Sequence, residues 1–203
     1  MSFFKKLIQV FQPSDLVEDN PTVHRSQYLP EQKLPVDELF TLNFNDNGGK
    51  FLYCESVDEL NEAFINILVE NDWFETEALT YETSLFSMLQ ENNIKYSEVK
   101  NPTFFFSGCE NLIAEDGSIL FCDKQIKNNK AHDLPDNIVI VARTSQMTRT
   151  KSDGLREIKR KYGSALPTNI TAFNYFKPSS NESDFLGYGR SPKNLYLLLL
   201  EDL

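Results

Sequence analysis

The sequence predicts an α/β protein, one domain built on a mostly parallel sheet with helices on both faces. Three observations carry this reading. Strand-length apolar runs alternate with helical patterns along the chain. The later runs, at residues 138–142 and 195–200, are apolar without interruption, as strands buried on both faces must be. Only one pair of runs is joined by a tight hairpin turn, so most strands need a crossover connection.

At 203 residues with 40% hydrophobic content the chain can form one substantial core, and nothing requires a second. Residues 1–38 read as an N-terminal arm. Residues 3–11 fit a short amphipathic helix, after which Pro13, Pro21, Pro30 and Pro35 each remove a backbone donor and disfavour helix at the preceding residue. Such an arm is expected to pack on the domain or on a second subunit of a homodimer. The α/β domain is expected over residues 39–203.

Within it, residues 39–44 are ambiguous between strand and helix. Residues 50–54 follow the Asn47-Gly48-Gly49 turn and read as a strand. Ser56-Val57-Asp58-Glu59 has the capping-box form, and Leu60, Ala63, Phe64, Ile67 and Leu68 then recur on one helical face. Residues 76–81 and 94–96 fit strands on either side of a short helix, 84–91, with Leu85, Met88 and Leu89 inward. Phe104-Phe105-Phe106 is a β-type run. Residues 111–114 and 118–122 flank Glu115-Asp116-Gly117, and Asp-Gly between two apolar runs signals a hairpin because glycine accepts the positive φ of a tight turn. After the strand at 138–142, Leu155, Ile158 and Tyr162 mark one face of a basic helix ended by Gly163. Residues 170–173 and 195–200 complete the strands.

Composition excludes several function classes. A net charge of -10 argues against a nucleic-acid partner, which needs a clustered excess of Lys and Arg. The charge is uneven: residues 51–94 hold ten acids and no Lys or Arg, whereas residues 143–161 carry seven basic residues against Asp153 and Glu157. Either run reads as a solvated helix face, and the basic one also as a site for an anionic metabolite or an acidic partner surface. No apolar stretch is long enough to span a membrane and no export signal is visible, so a cytoplasmic protein without a membrane partner is expected. Cys54, Cys109 and Cys122 stand far apart, and His24 and His132 have no ligand-spaced partner, so no metal is expected. Neither a phosphate-binding P-loop nor a nucleophile elbow occurs, and Gly187-Tyr188-Gly189 lacks the third glycine of a dinucleotide fingerprint. No cofactor is expected.

The stretch Ser107-Gly108-Cys109-Glu110-Asn111-Leu112-Ile113-Ala114-Glu115-Asp116-Gly117-Ser118-Ile119-Leu120, followed by Leu134-Pro135 and an apolar strand, resembles the signature of the LUD (lactate-utilisation) family. Ala114, Glu115 and Gly117 match by identity and Ser118 replaces a threonine. Upstream, Phe40, Phe44, Gly48-Gly49-Lys50, Tyr53-Cys54 and Glu59-Leu60 are similar to the family's opening pattern. Near the end only Pro178-Ser179 remains of a segment that usually carries an Arg, and the turn at residues 187–193 lacks the family's His.

The resemblance implies a NagB/RpiA/CoA-transferase-like fold and a role like that of the LutC-type subunit in oxidising lactate to pyruvate, or in related organic-acid metabolism. Its partners would be iron-sulfur lactate-oxidation proteins and its ligand a small organic anion or a CoA ester. The loss of the Arg-containing segment points to a non-catalytic accessory or regulatory subunit of the same fold as the alternative. The candidate catalytic residues are Glu115 and Asp116, adjacent acids on the hairpin turn, where partial burial would raise a carboxyl pKa and suit it to proton transfer or acyl attack. Gly117 and Ser118 offer amides and a hydroxyl to an anion, and Arg190 and Lys193 offer cations to a carboxylate. An ordinary solvated turn and solvent-facing cations are the alternatives at those positions.

Overall fold

The computed structural model describes residues 34–174, 176 and 193–203. The expected helix at 3–11, the lead-in up to residue 33, Arg190 and the polar stretch 179–184 lie outside the described residues. Residues from Pro35 to Leu203 form one compact unit.

The first helix, α1 (Val36–Asp46), resolves the ambiguity at residues 39–44: Phe40 and Phe44 are four residues apart, their rings stack at 5.4 Å, and both are fully buried. Strand β1 (Lys50–Cys54) leads into α2 (Val57–Asn71). Ser56 caps α2 by accepting the Glu59 amide at 3.2 Å, and the Glu59 carboxylate reaches back to the Glu55 amide at 2.8 Å, which satisfies two otherwise orphaned donors.

The expected strand at 76–81 shrinks to β2 (Ala78–Leu79), and the one at 94–96 to a single bridge between Glu77 and Lys95. Between them a 3-10 turn, Thr83–Leu85, runs into α3 (Phe86–Glu91). Then follow β3 (Phe104–Ser107), the hairpin β4 (Asn111–Ile113) and β5 (Ser118–Cys122), the single turn α4 (Asp123–Ile126), β6 (Asn137–Arg143), β7 (Met147–Thr148), α5 (Lys151–Tyr162), β8 (Ile170–Phe173) and β9 (Asn194–Leu200).

Five strands form an all-parallel sheet in the order β1-β9-β6-β3-β2. Its pleat sends Phe104, Phe106, Val139, Tyr196 and Leu198 to one face, where they pack with Leu60, Phe64, Ile67 and Leu68 of α2 and Leu85 and Leu89 around α3. Phe64 stacks on Phe106 at 4.7 Å and Trp73 on Phe104 at 5.0 Å. Full burial of each such ring is worth about 1.5–3 kcal/mol, so this aromatic layer anchors α2 to the sheet.

The hairpin is more than a local exception to parallel pairing. It is the centre of a second sheet, β7-β4-β5-β8, in which β4 pairs antiparallel with β5 and parallel with β7. Ile113 and Leu120 of this sheet pack against Ile158 and Tyr162 of α5. Leu155 does not share that face as expected: it is 46% exposed, and the inward place is held by Gly154. A Cβ on Gly154 would come within 2.9 Å of Ile113 and 3.0 Å of Leu120, so the missing side chain is what lets α5 approach the sheet. Leu112, Ile119 and Phe121, on the face turned from α5, are fully buried, as are Phe105, Ile138, Ile140, Leu195, Leu197 and Leu199 on the free face of the larger sheet. The helix α1 joins the two sheets by touching both β1 and β7. No helix among the described residues is long and apolar enough to cross a membrane.

Candidate functional site

In open parallel sheets, ligands bind beyond the carboxyl ends of the strands. Here the segments leaving β3, β6 and β9 are tied to one another at that edge. The Gln146 amide donates to the Cys109 carbonyl at 2.6 Å and the Glu110 carbonyl at 3.2 Å, which joins the turn after β6 to the turn after β3. Asp202, just past β9, accepts from the Thr144 hydroxyl at 2.9 Å and from the Ser145 amide and hydroxyl at 2.9 and 2.7 Å. Burial would raise the Asp202 carboxyl, but these bonds and nearby Arg143 outweigh it and hold the pKa below the usual range.

Beside this edge lies Glu110, a carboxylate with 1% of its side chain exposed. One oxygen pairs with the Lys161 ammonium at 2.8 Å; the other accepts from the Tyr162 hydroxyl at 2.6 Å, the Gln125 amide at 2.8 Å and the Cys122 thiol at 3.2 Å. Burial pushes its pKa up, and the donors from Lys161, Tyr162, Gln125 and Cys122 more than offset that, so Glu110 stays ionised. The same constellation works the other way on its neighbours: burial and then the Glu110 charge raise the Tyr162 phenol, and burial lifts the Cys122 thiol to about 11. Both remain protonated donors. Cys109 is fully buried and its thiol is likewise driven up by burial, so none of the three is an activated nucleophile.

Two clefts open along α5. The first, about 340 Å³, is lined by Glu110, Ser145, Gln146, Glu157, Arg160 and Lys161. The second, about 350 Å³, is lined by Thr148, Arg149, Asp153, Arg156, Glu157 and Arg160. Glu157 and Arg160 belong to both. The Glu157 carboxylate accepts from the buried Asn111 amide at 2.9 Å, whereas Arg160 has no hydrogen-bond or ion-pair partner among the described residues. No group of three His, Cys, Asp or Glu able to hold a metal occurs among the described residues.

Among the described residues expected to form the site, Glu115, Asp116, Ser118 and Lys193 each meet partners within the fold. Glu115 is exposed, and its carboxylate accepts the Lys151 amide at 2.8 Å, closing the first turn of α5. Asp116 bonds the Ser118 amide and hydroxyl at 3.1 and 2.7 Å and pairs with the Lys151 ammonium at 2.5 Å. Burial would raise the Asp116 carboxyl; Lys151 and Ser118 hold it low instead, the opposite of the shift that proton donation at neutral pH requires. Gly117 has φ +66°, and a Cβ there would sit 2.5 Å from the α1 backbone at Asn43 and Phe44. Asn43 and Asn47 donate to the Ala114 and Asp116 carbonyls, each at 2.7 Å. The hairpin tip is thus a knot that joins α1, the smaller sheet and α5. Lys193 is 3% exposed, and its ammonium donates to the Leu134 carbonyl at 2.8 Å and Asp136 at 3.1 Å at the start of β9. The structure brings Glu115, Asp116, Gly117 and Ser118 together and places Lys193 in a separate, buried tie.

Residues 38–200 match the LUD domain family. The chain belongs to that family. A solved structure of similar fold, a DUF162 family protein from Deinococcus radiodurans, superimposes with a TM-score of 0.59 at 15% identity, covering 83% of this chain and 99% of that one. No curated protein matches. Membership accounts for the parallel central sheet, while Glu110, though inside the resembling stretch, and the α5 cations were not among the candidate site residues. A signal for Glu110 was available: a carboxylate between two wholly apolar strands, residues 104–106 and 112–114, has little chance of reaching water and must find donors inside.

Proposed function

We propose that this LUD-domain chain binds a small organic carboxylate of the lactate and pyruvate class in the first cleft along α5, as a subunit of organic-acid oxidation. The observation that supports this most directly is the pair of adjacent cations at its rim: Lys161, fixed by the buried Glu110, and Arg160, which has no partner among the described residues. A carboxylate bridging them would gain charge-assisted hydrogen bonds.

The reading includes a division of labour. Removing two electrons and two protons from lactate needs an acceptor, which iron-sulfur partner proteins supply in this proposal. Glu110 is engaged by four donors and Glu157 by Asn111, which favours a chain that holds and presents the anion over one that turns it over alone. Ligand-observed NMR with lactate and pyruvate tests the binding step. Saturable binding by the wild type that falls at least about tenfold in Lys161→Gln is expected, the loss of one charge-assisted contact. Equal binding by the two proteins would reject this cleft.

A further inference from the structure

The second cleft has no part in the carboxylate reading. We infer that it is a subsite for the phosphate group of a phosphorylated small molecule, joined through Arg160 to the first cleft so that one ligand with a carboxylate or acyl end can span both.

Arg149, Arg156 and Arg160 line a concavity of about 350 Å³, within the range of ligand sites. A guanidinium presents a planar fork of N-H groups that matches phosphate oxygens two at a time. Several such forks offer more donors than the two oxygens of a monocarboxylate can accept, whereas a phosphate dianion has the oxygens and the charge to engage them. The acids on the walls do not reserve Arg156 and Arg160. Asp153 accepts from the Thr150 hydroxyl at 2.7 Å and meets Arg156 at 3.3 Å, but that arginine side chain is 76% exposed, and a water-screened pair of this kind is weak and yields readily to a dianion. Glu157 is turned to Asn111, and Arg160 has no partner among the described residues. The chain's overall charge of -10 disfavours a polyanionic nucleic acid as the source of the phosphate.

The spanning ligand rests on the carboxylate reading; the phosphate subsite does not. Isothermal titration of the full chain with inorganic pyrophosphate at low salt, beside lactate, separates the two. Saturable one-to-one pyrophosphate binding is expected, weakened at least about tenfold in Arg156→Gln and in Arg160→Gln. Lys161→Gln should weaken lactate alone, Arg156→Gln pyrophosphate alone, and Arg160→Gln both. Lys159→Gln, exposed on the same helix but lining neither cleft, should change neither. Absence of pyrophosphate binding, an equal loss in Lys159→Gln, or tighter binding of a short single-stranded oligonucleotide than of pyrophosphate would overturn the subsite. Pyrophosphate binding without lactate binding would keep it and reject only the carboxylate reading.

Discussion

Removing the Glu110 carboxylate should destabilise the fold, and the structure says by how much. In Glu110→Ala four donors lose their acceptor, but not all of them suffer. The Lys161 side chain is 57% exposed and returns to water, and Tyr162 is only half-buried, so its hydroxyl can turn outward. The Gln125 amide, in a residue 7% exposed, cannot, and an orphaned buried amide costs about 1–3 kcal/mol. The Cys122 thiol is fully buried but is a weak donor and adds little. With the lost packing, the total comes to about 2–4 kcal/mol. Glu110→Gln keeps an acceptor oxygen in place and exchanges charged for neutral hydrogen bonds, for about 1–2 kcal/mol. Urea unfolding measures both as a shift in midpoint at constant slope. The pH dependence has a fixed sign. Because the folded pKa is depressed, the unfolded chain takes up the proton first on acidification. The stabilisation is therefore complete above the unfolded carboxyl value of about 4.3 and disappears as pH falls through the folded one. The gap between wild type and Glu110→Gln should be flat near neutrality and close in the acid limb. A Glu110→Ala protein within about 0.5 kcal/mol of wild type, the ordinary range for a surface change, would show that these donors do not depend on the carboxylate.

Gly117→Ala should cost about 2 kcal/mol or more, since a left-handed alanine carries about 1–2 kcal/mol of strain and its Cβ would meet the α1 backbone at 2.5 Å; a melting temperature unchanged by the substitution would contradict that approach. Glu115→Ala should lose about 0.5–2 kcal/mol, the value of a helix-capping acceptor, as its bond to the Lys151 amide disappears, while lactate binding stays at the wild-type level when measured by titration.

What the sequence disclosed is what local rules govern. The α2 start was readable because Ser56 and Glu59 serve amides within a turn of themselves, and the hairpin because Asp116-Gly117 decides its own backbone. The smaller sheet was hidden: β7 is two residues long, inside a polar stretch, and exists only because Leu112 and Ile113 pair with it from far away. Leu155 was misplaced because periodicity weighs side chains, and the residue at the contact, Gly154, has none. The same holds at the hairpin tip. Its acids were visible as a pair, but the partners that occupy them, Lys151 and the amides of Ser118 and α5, come from pairing that no spacing rule reports. Arg160 and Lys161 were visible as part of a basic run, and only the folded edge of the sheet separates them from Lys159 beside them.

The strand order carries a consequence for how the chain is made. Among the described strands β1 pairs only with β9, Lys50 opposite Tyr196, and the side chains of those two residues meet 146 positions apart in the chain. While a ribosome is still extending the polypeptide, β1 has emerged long before its partner exists, and α2 has no complete apolar surface to cover. β9 must then enter between β1 and β6, not add to an outer edge. Closing so distant a contact late is slow and leaves apolar surface exposed in the meantime. A nascent chain arrested before β9 should therefore remain protease-sensitive and hold chaperones, and should become resistant only once residues 194–200 clear the exit tunnel.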